Sequence, residues 1–141
     1  SFKACFSMIS RRSFLAGSTL ALSALSLPAM AETRKEADAV NFESIDQIKA
    51  IAEREPAILY FHAEWCPTCR ATMVSFRGRW PEIQPGITLV IADYDTEEEL
   101  KAKYGVTYQN TYVQVGRDGE KVQIWNGGGI DALNTKPLFD Y

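Results

Sequence analysis

Two stretches of this chain are almost continuously apolar. Ala57-Ile58-Leu59-Tyr60-Phe61 runs on to His62, and Ile87-Thr88-Leu89-Val90-Ile91-Ala92 is interrupted only by a threonine. Runs of this length and composition predict central strands covered on both faces. Elsewhere the apolar positions keep a helical rhythm. Ile45, Ile48, Ile51 and Ala52 recur behind Ser44, an N-cap with Gln47 three residues on, and Pro56 ends the pattern. Met73, Phe76 and Trp80 share one face of a helix predicted over Arg70 to Trp80. Thr96 is expected to cap a helix running from Glu97 to Tyr104, with acids in its first turn, lysines in its last and Gly105 to close it. Thr111–Val115 and Lys121–Trp125 read as a hairpin about Arg117-Asp118-Gly119, and Ile130 to Thr135 as a short helix. Pro137 to Tyr141 carries no pattern. The order α-β-α-β-α-β-β-α predicts an α/β domain with a four-stranded mixed sheet flanked by helices.

The first 31 residues follow a different pattern. They hold Lys3, Arg11 and Arg12 but no acid, and Phe14 to Leu27 is mostly Ala, Leu, Ser and Gly. That run is short of the roughly 20 apolar residues a membrane-spanning helix needs. It ends in Ala29-Met30-Ala31, small residues suited to a signal peptidase. Ser10-Arg11-Arg12-Ser13-Phe14-Leu15-Ala16 looks like a twin-arginine export signal, with Met8 a candidate first residue. Residues 1–31 are therefore expected to be a signal peptide cleaved after Ala31, which implies a periplasmic location. Residues 32–41 read as a flexible leader and 42–141 as the domain. Without residues 1–31, twelve basic side chains face eighteen acids, a net charge of −6. Such a domain has no electrostatic case for binding nucleic acid.

Of three cysteines, Cys5 falls in the signal, leaving Cys66 and Cys69 in Trp65-Cys66-Pro67-Thr68-Cys69. Residues this close would constrain little unfolded chain, so the pair is a poor structural staple. The motif follows the first apolar strand and opens the Arg70 helix. There the helix dipole and free backbone N–H groups favour a thiolate at Cys66. A dithiol at such a junction points to thiol–disulfide exchange. A zinc site needs about four ligands, and His62 is the single histidine. Two thiolates would suit Cu(I), so copper binding or a non-catalytic docking role stays open as the alternative.

Ala63-Glu64-Trp65-Cys66-Pro67-Thr68-Cys69 behind a strand, together with Tyr104-Gly105-Val106 and Thr111 before a hairpin, resembles the thioredoxin superfamily. The resemblance spans roughly Phe42 to Ile130. It implies a thioredoxin-like fold and an oxidoreductase without a cofactor. Cys66 would be the exposed nucleophile and Cys69 the resolving thiol of one redox disulfide. Trp65, Pro67, Thr68, Asn110 and Thr111 would form the substrate-binding surface. Expected partners are cysteine-containing exported proteins and a redox partner, met by a monomer. The chain also departs from the family pattern. Asn110 stands where the family has a cis-proline, which implies a trans or specially held loop. Tyr60 and Ile91 fall where a buried Asp and its Lys partner are expected. Proton handling at Cys69 is then left to water, Glu64 or the substrate. Tyr108 and Tyr112 alternate along the same segment, so one ring is expected in the core.

Overall fold

A computed structural model of the chain describes residues 34–141. The signal peptide expected over 1–31, and its cleavage after Ala31, lie outside the described residues. In chain order the elements are β1 (Asp38–Asn41), α1 (Ile45–Ala52), β2 (Ala57–His62), α2 (Pro67–Arg79), β3 (Thr88–Asp93), α3 (Glu98–Tyr104), β4 (Thr111–Val115), β5 (Lys121–Asn126) and α4 (Gly129–Thr135). A 3-10 turn, Trp80–Glu82, follows α2. No helix among the described residues is long and apolar enough to cross a membrane.

The sheet has five strands, in the order β1-β3-β2-β4-β5. The first three run parallel, and β4 and β5 join antiparallel. The expected four-stranded sheet thus gains β1 at its edge, and the segment 32–41 is not wholly a flexible leader. Asp38 to Asn41 pair in register with Thr88 to Ile91. Four residues at an edge, with only Ala39 and Val40 apolar, give too short a signal to stand out from a polar segment.

Alternation along β2 divides the core. Leu59 and Phe61 pack with Ile48 of α1 and with Leu100 and Tyr104 of α3 on one face. Ile58 and Tyr60 pack with Phe76 of α2, Leu89, Tyr112 and Leu133 of α4 on the other. Both faces are covered, which accounts for the unbroken apolar run. Met73 and Trp80 lie against the Phe76 side, as their spacing predicts.

Ser44 Oγ accepts the Gln47 N–H at 3.1 Å, while the Gln47 side chain returns to the Glu43 N–H at 2.9 Å, one residue outside the cap. Thr96 does not cap α3. The N-cap is Glu97, with no side-chain capping bond, and Asp93 Oδ1 instead accepts the N–H groups of Asp95 and Thr96 at 2.8 and 3.3 Å. Gly105 ends α3 at φ 71°, in the left-handed region open to glycine. Helix α2 begins at Pro67, three residues before the expected Arg70, because proline is well tolerated in a first turn.

The patternless tail is anchored. Gln114, fully buried on β4, donates to Leu138 O at 2.6 Å and accepts the Leu138 N–H at 2.9 Å. A buried amide needs such partners, and the tail backbone supplies them.

Candidate active site

Strand β2 ends at His62, and the chain turns through Ala63, Glu64 and Trp65 into α2. The Cys66 N–H donates to Ala63 O at 3.1 Å, which closes the turn. Cys66 is the N-cap of α2, with extended backbone at φ −82° and ψ 115°. Its Sγ accepts the Cys69 N–H at 3.2 Å. The sulfur therefore takes the place of the oxygen that a Ser or Asp cap would offer, at the positive end of the helix dipole. No acid stands in the first turn of α2 to oppose charge there.

The two thiols are free and differ in character. Burial pushes the Cys66 thiol up, yet hydrogen bonds from the Cys69 thiol, the Cys69 N–H, the Gln109 side chain and the Thr68 backbone hold it below the ordinary cysteine range. Burial pushes Cys69 up. The bond it gives to Cys66 adds to that rise, and the Ala63 backbone offsets only part of it. One sulfur is shifted toward the thiolate and its neighbour toward the thiol.

Cys66 is only 2% exposed, so it is not the exposed nucleophile expected from the motif. It lies in an open recess of about 450 Å³ lined by Thr68, Tyr108, Gln109, Asn110 and Asn126. Trp65 is 56% exposed beside it, and its indole N–H donates to both oxygens of Asp95 at 3.1 and 2.9 Å. Asp95 lies 30 residues away, and nothing in the sequence pairs it with Trp65.

Across the recess, Asn110 sits in a left-handed conformation at φ 60°, and no cis peptide bond occurs among the described residues. Asparagine tolerates this region, whereas proline with φ near −65° does not. The loop is thus trans, held by an unusual backbone rather than by an isomer. The Asn110 N–H donates to Phe61 O at 2.8 Å and its carbonyl accepts from Gly127 at 2.9 Å. The side chain accepts from the Tyr60 hydroxyl at 2.9 Å. Asn126, which the motif reading does not single out, donates to Gln109 O and to Thr111 Oγ1, each at 3.0 Å. Thr111 Oγ1 in turn donates to Tyr108 O at 2.7 Å.

The remaining expectations divide. Trp65, Thr68 and Asn110 meet around Cys66. Thr111 is buried and braces the loop from behind, and Pro67 shapes the helix start. Tyr112 is the core ring and Tyr108 the outward one, at 70% exposure. Glu64 does not attend Cys69; its side chain is exposed and pairs with His62 Nε2 at 3.3 Å. Among the described residues no three His, Cys, Asp or Glu side chains converge as metal ligands.

The thioredoxin family model matches residues 33–136. A probable thioredoxin-2 of Caenorhabditis elegans is 29% identical over 136 residues, covering 89% of this chain and 90% of its own length. Among solved structures, a mutant thioredoxin of Halobacterium salinarum superposes with a TM-score of 0.58 at 21% identity, covering 72% of this chain and 89% of that one. A thioredoxin-like protein of Edwardsiella tarda gives 0.53 at 18%, over 68% of this chain and 91% of its own. At these identities the structural likenesses speak for the fold.

Proposed function

The chain belongs to the thioredoxin family of thiol–disulfide oxidoreductases, and from that premise we propose that it works after export, exchanging disulfides with cysteine-containing proteins of the periplasm. The observation that carries this reading is the asymmetry of the pair: a Cys66 sulfur capping α2 with a lowered pKa, and a buried Cys69 one turn on with a raised one. The twin-arginine pattern and the Ala29-Met30-Ala31 site support export and cleavage after Ala31.

The reaction follows from that asymmetry. The Cys66 thiolate attacks one sulfur of a partner disulfide, and the other partner sulfur leaves as a thiolate that takes a proton from water. Cys69 then loses its proton and attacks Cys66 Sγ. The Cys66–Cys69 disulfide forms and the second partner sulfur leaves, ending protonated. Two electrons pass to the partner, and the reverse sequence donates a disulfide. The recess admits the partner from the Tyr108–Asn110 side, with Trp65 as an apolar platform on its rim.

Replacing Cys66 by Ser removes the nucleophile and is expected to lower exchange by about 10⁴-fold or more. Cys69→Ser is expected to trap a mixed disulfide at Cys66, seen as a reductant-sensitive adduct by mass spectrometry. Undiminished turnover in Cys66→Ser would end this reading. Tight Cu(I) binding by the reduced chain without exchange would replace it with a metal-holding role.

A further inference from the structure

At the opposite end of β2 from the thiols lies another recess. The strand runs from Ala57 to His62, where the dithiol turn begins, and this cavity is walled by Pro56 at the strand's start. Its volume is about 640 Å³, and it shares no lining residue with the recess at Cys66. Four cations line it, Arg34, Lys35, Arg54 and Arg117, facing two acids, Glu55 and Asp140. The wall is thus net positive by two, in a domain that is net negative by six over residues 32–141. Amid that excess of acid, Arg34, Arg54 and Arg117 form no ion pair with any acid among the described residues. Arg54 stands between Glu53 and Glu55, and Arg117 precedes Asp118. Two of those acids are engaged elsewhere. Glu55 accepts the Thr88 hydroxyl and lies 4.0 Å from Lys35, and Asp118 Oδ1 accepts the Glu120 N–H at 3.0 Å.

The cavity is also held in shape. The Arg34 stem lies along Gly86, where a Cβ would come within 3.0 to 3.3 Å of its methylene carbons, and its guanidinium sits over the Phe139 ring at 4.1 Å. Phe139 follows Leu138, whose N–H and carbonyl both bond the buried Gln114 amide. Tyr141 donates its hydroxyl to Ala52 O at 3.3 Å. A fully buried amide therefore fixes the tail that walls a basic cavity. We propose that this cavity binds a phosphate-bearing ligand. Guanidinium forks meet phosphate oxygens in pairs. Arg34 precedes β1, Arg54 follows α1 and Arg117 follows β4, and forks from three segments suit a tetrahedral group better than a planar carboxylate. Arg34, already seated, loses little freedom on binding. The cavity exceeds the size of one phosphate, and the Phe139 and Tyr141 rings give apolar surface to the rest of the ligand.

The test is calorimetric titration of the full chain with sodium pyrophosphate, beside flotation with phosphatidylglycerol vesicles. Saturable pyrophosphate binding is expected, weakened about tenfold or more by Arg54→Gln and by Arg117→Gln. Both side chains are exposed, and thermal unfolding like the parent's shows that each variant is folded. Lys103→Gln removes a cation outside the cavity, paired with Glu120, and is expected to change the affinity less than about twofold. Where pyrophosphate binds, vesicle flotation lost in the same two arginine variants assigns the phosphate to a lipid headgroup. Pyrophosphate binding without such a loss assigns it to a free ligand. No saturable pyrophosphate binding, citrate binding as tightly as pyrophosphate, or equal weakening by Lys103→Gln would overturn the proposal.

Discussion

The two segments that meet at the Cys66 sulfur are held by opposite means. The turn from Ala63 into α2 is stabilised from within. Cys66 caps its own helix, Pro67 starts it, and the Cys69 N–H that bonds the sulfur is three residues away. The Tyr108–Thr111 loop is held largely from elsewhere, by Tyr60 and Phe61 of β2, by Asn126 at the end of β5 and by Gly127 after it. The first obeys capping rules visible in any helix-opening sequence. The second depends on strands that pair only when the whole sheet forms. Reactivity therefore resides mostly in a local structure, to which the loop adds one hydrogen bond from Gln109, and the geometry offered to a partner resides in the tertiary one.

The strongest challenge to this division is Asn110→Pro. Proline would lose the N–H given to Phe61 O and cannot adopt φ 60°. A loss of at least about 2 kcal/mol in urea unfolding is expected. A variant as stable as the parent would show that the loop readily takes another conformation. Next in size is Asn126→Ala, which removes two hydrogen bonds to the loop. It is expected to cost about 1–2 kcal/mol in the same assay. The smallest effect sharpens the contrast. Alkylation of Cys66 is expected to rise through a midpoint below that of an ordinary cysteine, and to stay below it in Asn126→Ala. A midpoint returning to the ordinary value would place control of the thiolate in the loop. The sign for folding follows. The lowered Cys66 pKa adds stability above the ordinary cysteine value, and that contribution is lost as pH falls through the lowered one. The raised pKa of Cys69 acts the other way, losing its contribution as pH rises.

This contrast also marks what was legible in the sequence. Strands β2 and β3, the hairpin β4–β5 and helices α1 to α4 follow from apolar spacing and turn residues, because each expresses a preference set by neighbours three or four positions away. Cys66 and Cys69 were legible for the same reason. What escaped is polar and distant: Asp95 on the Trp65 indole, Asn126 bracing the loop, and the tail tied to Gln114. A hydrogen bond across 15 to 30 residues leaves no periodic trace. The Asn110 position was noticed for what it lacks, but its left-handed backbone is set by partners on other strands. Tyr60 was noticed as standing where a buried Asp is expected, and only the fold shows its hydroxyl bonded to Asn110. Thr96 erred differently, since a competing side chain at Asp93 captured the N–H groups of the turn.

The short strand β1 has a bearing on solubility. Without it, β3 would form one margin of the sheet, and Thr88-Leu89-Val90-Ile91-Ala92-Asp93 would offer unpaired backbone along an almost charge-free, β-branched segment. Such a margin invites strand-to-strand association between molecules. Asp38 to Asn41 cover it with four residues bearing an acid, which Lys35 pairs at 3.0 Å, so the outer margin becomes short and polar. A stretch with no part in thiol chemistry thereby shortens the sheet margin left open to another strand.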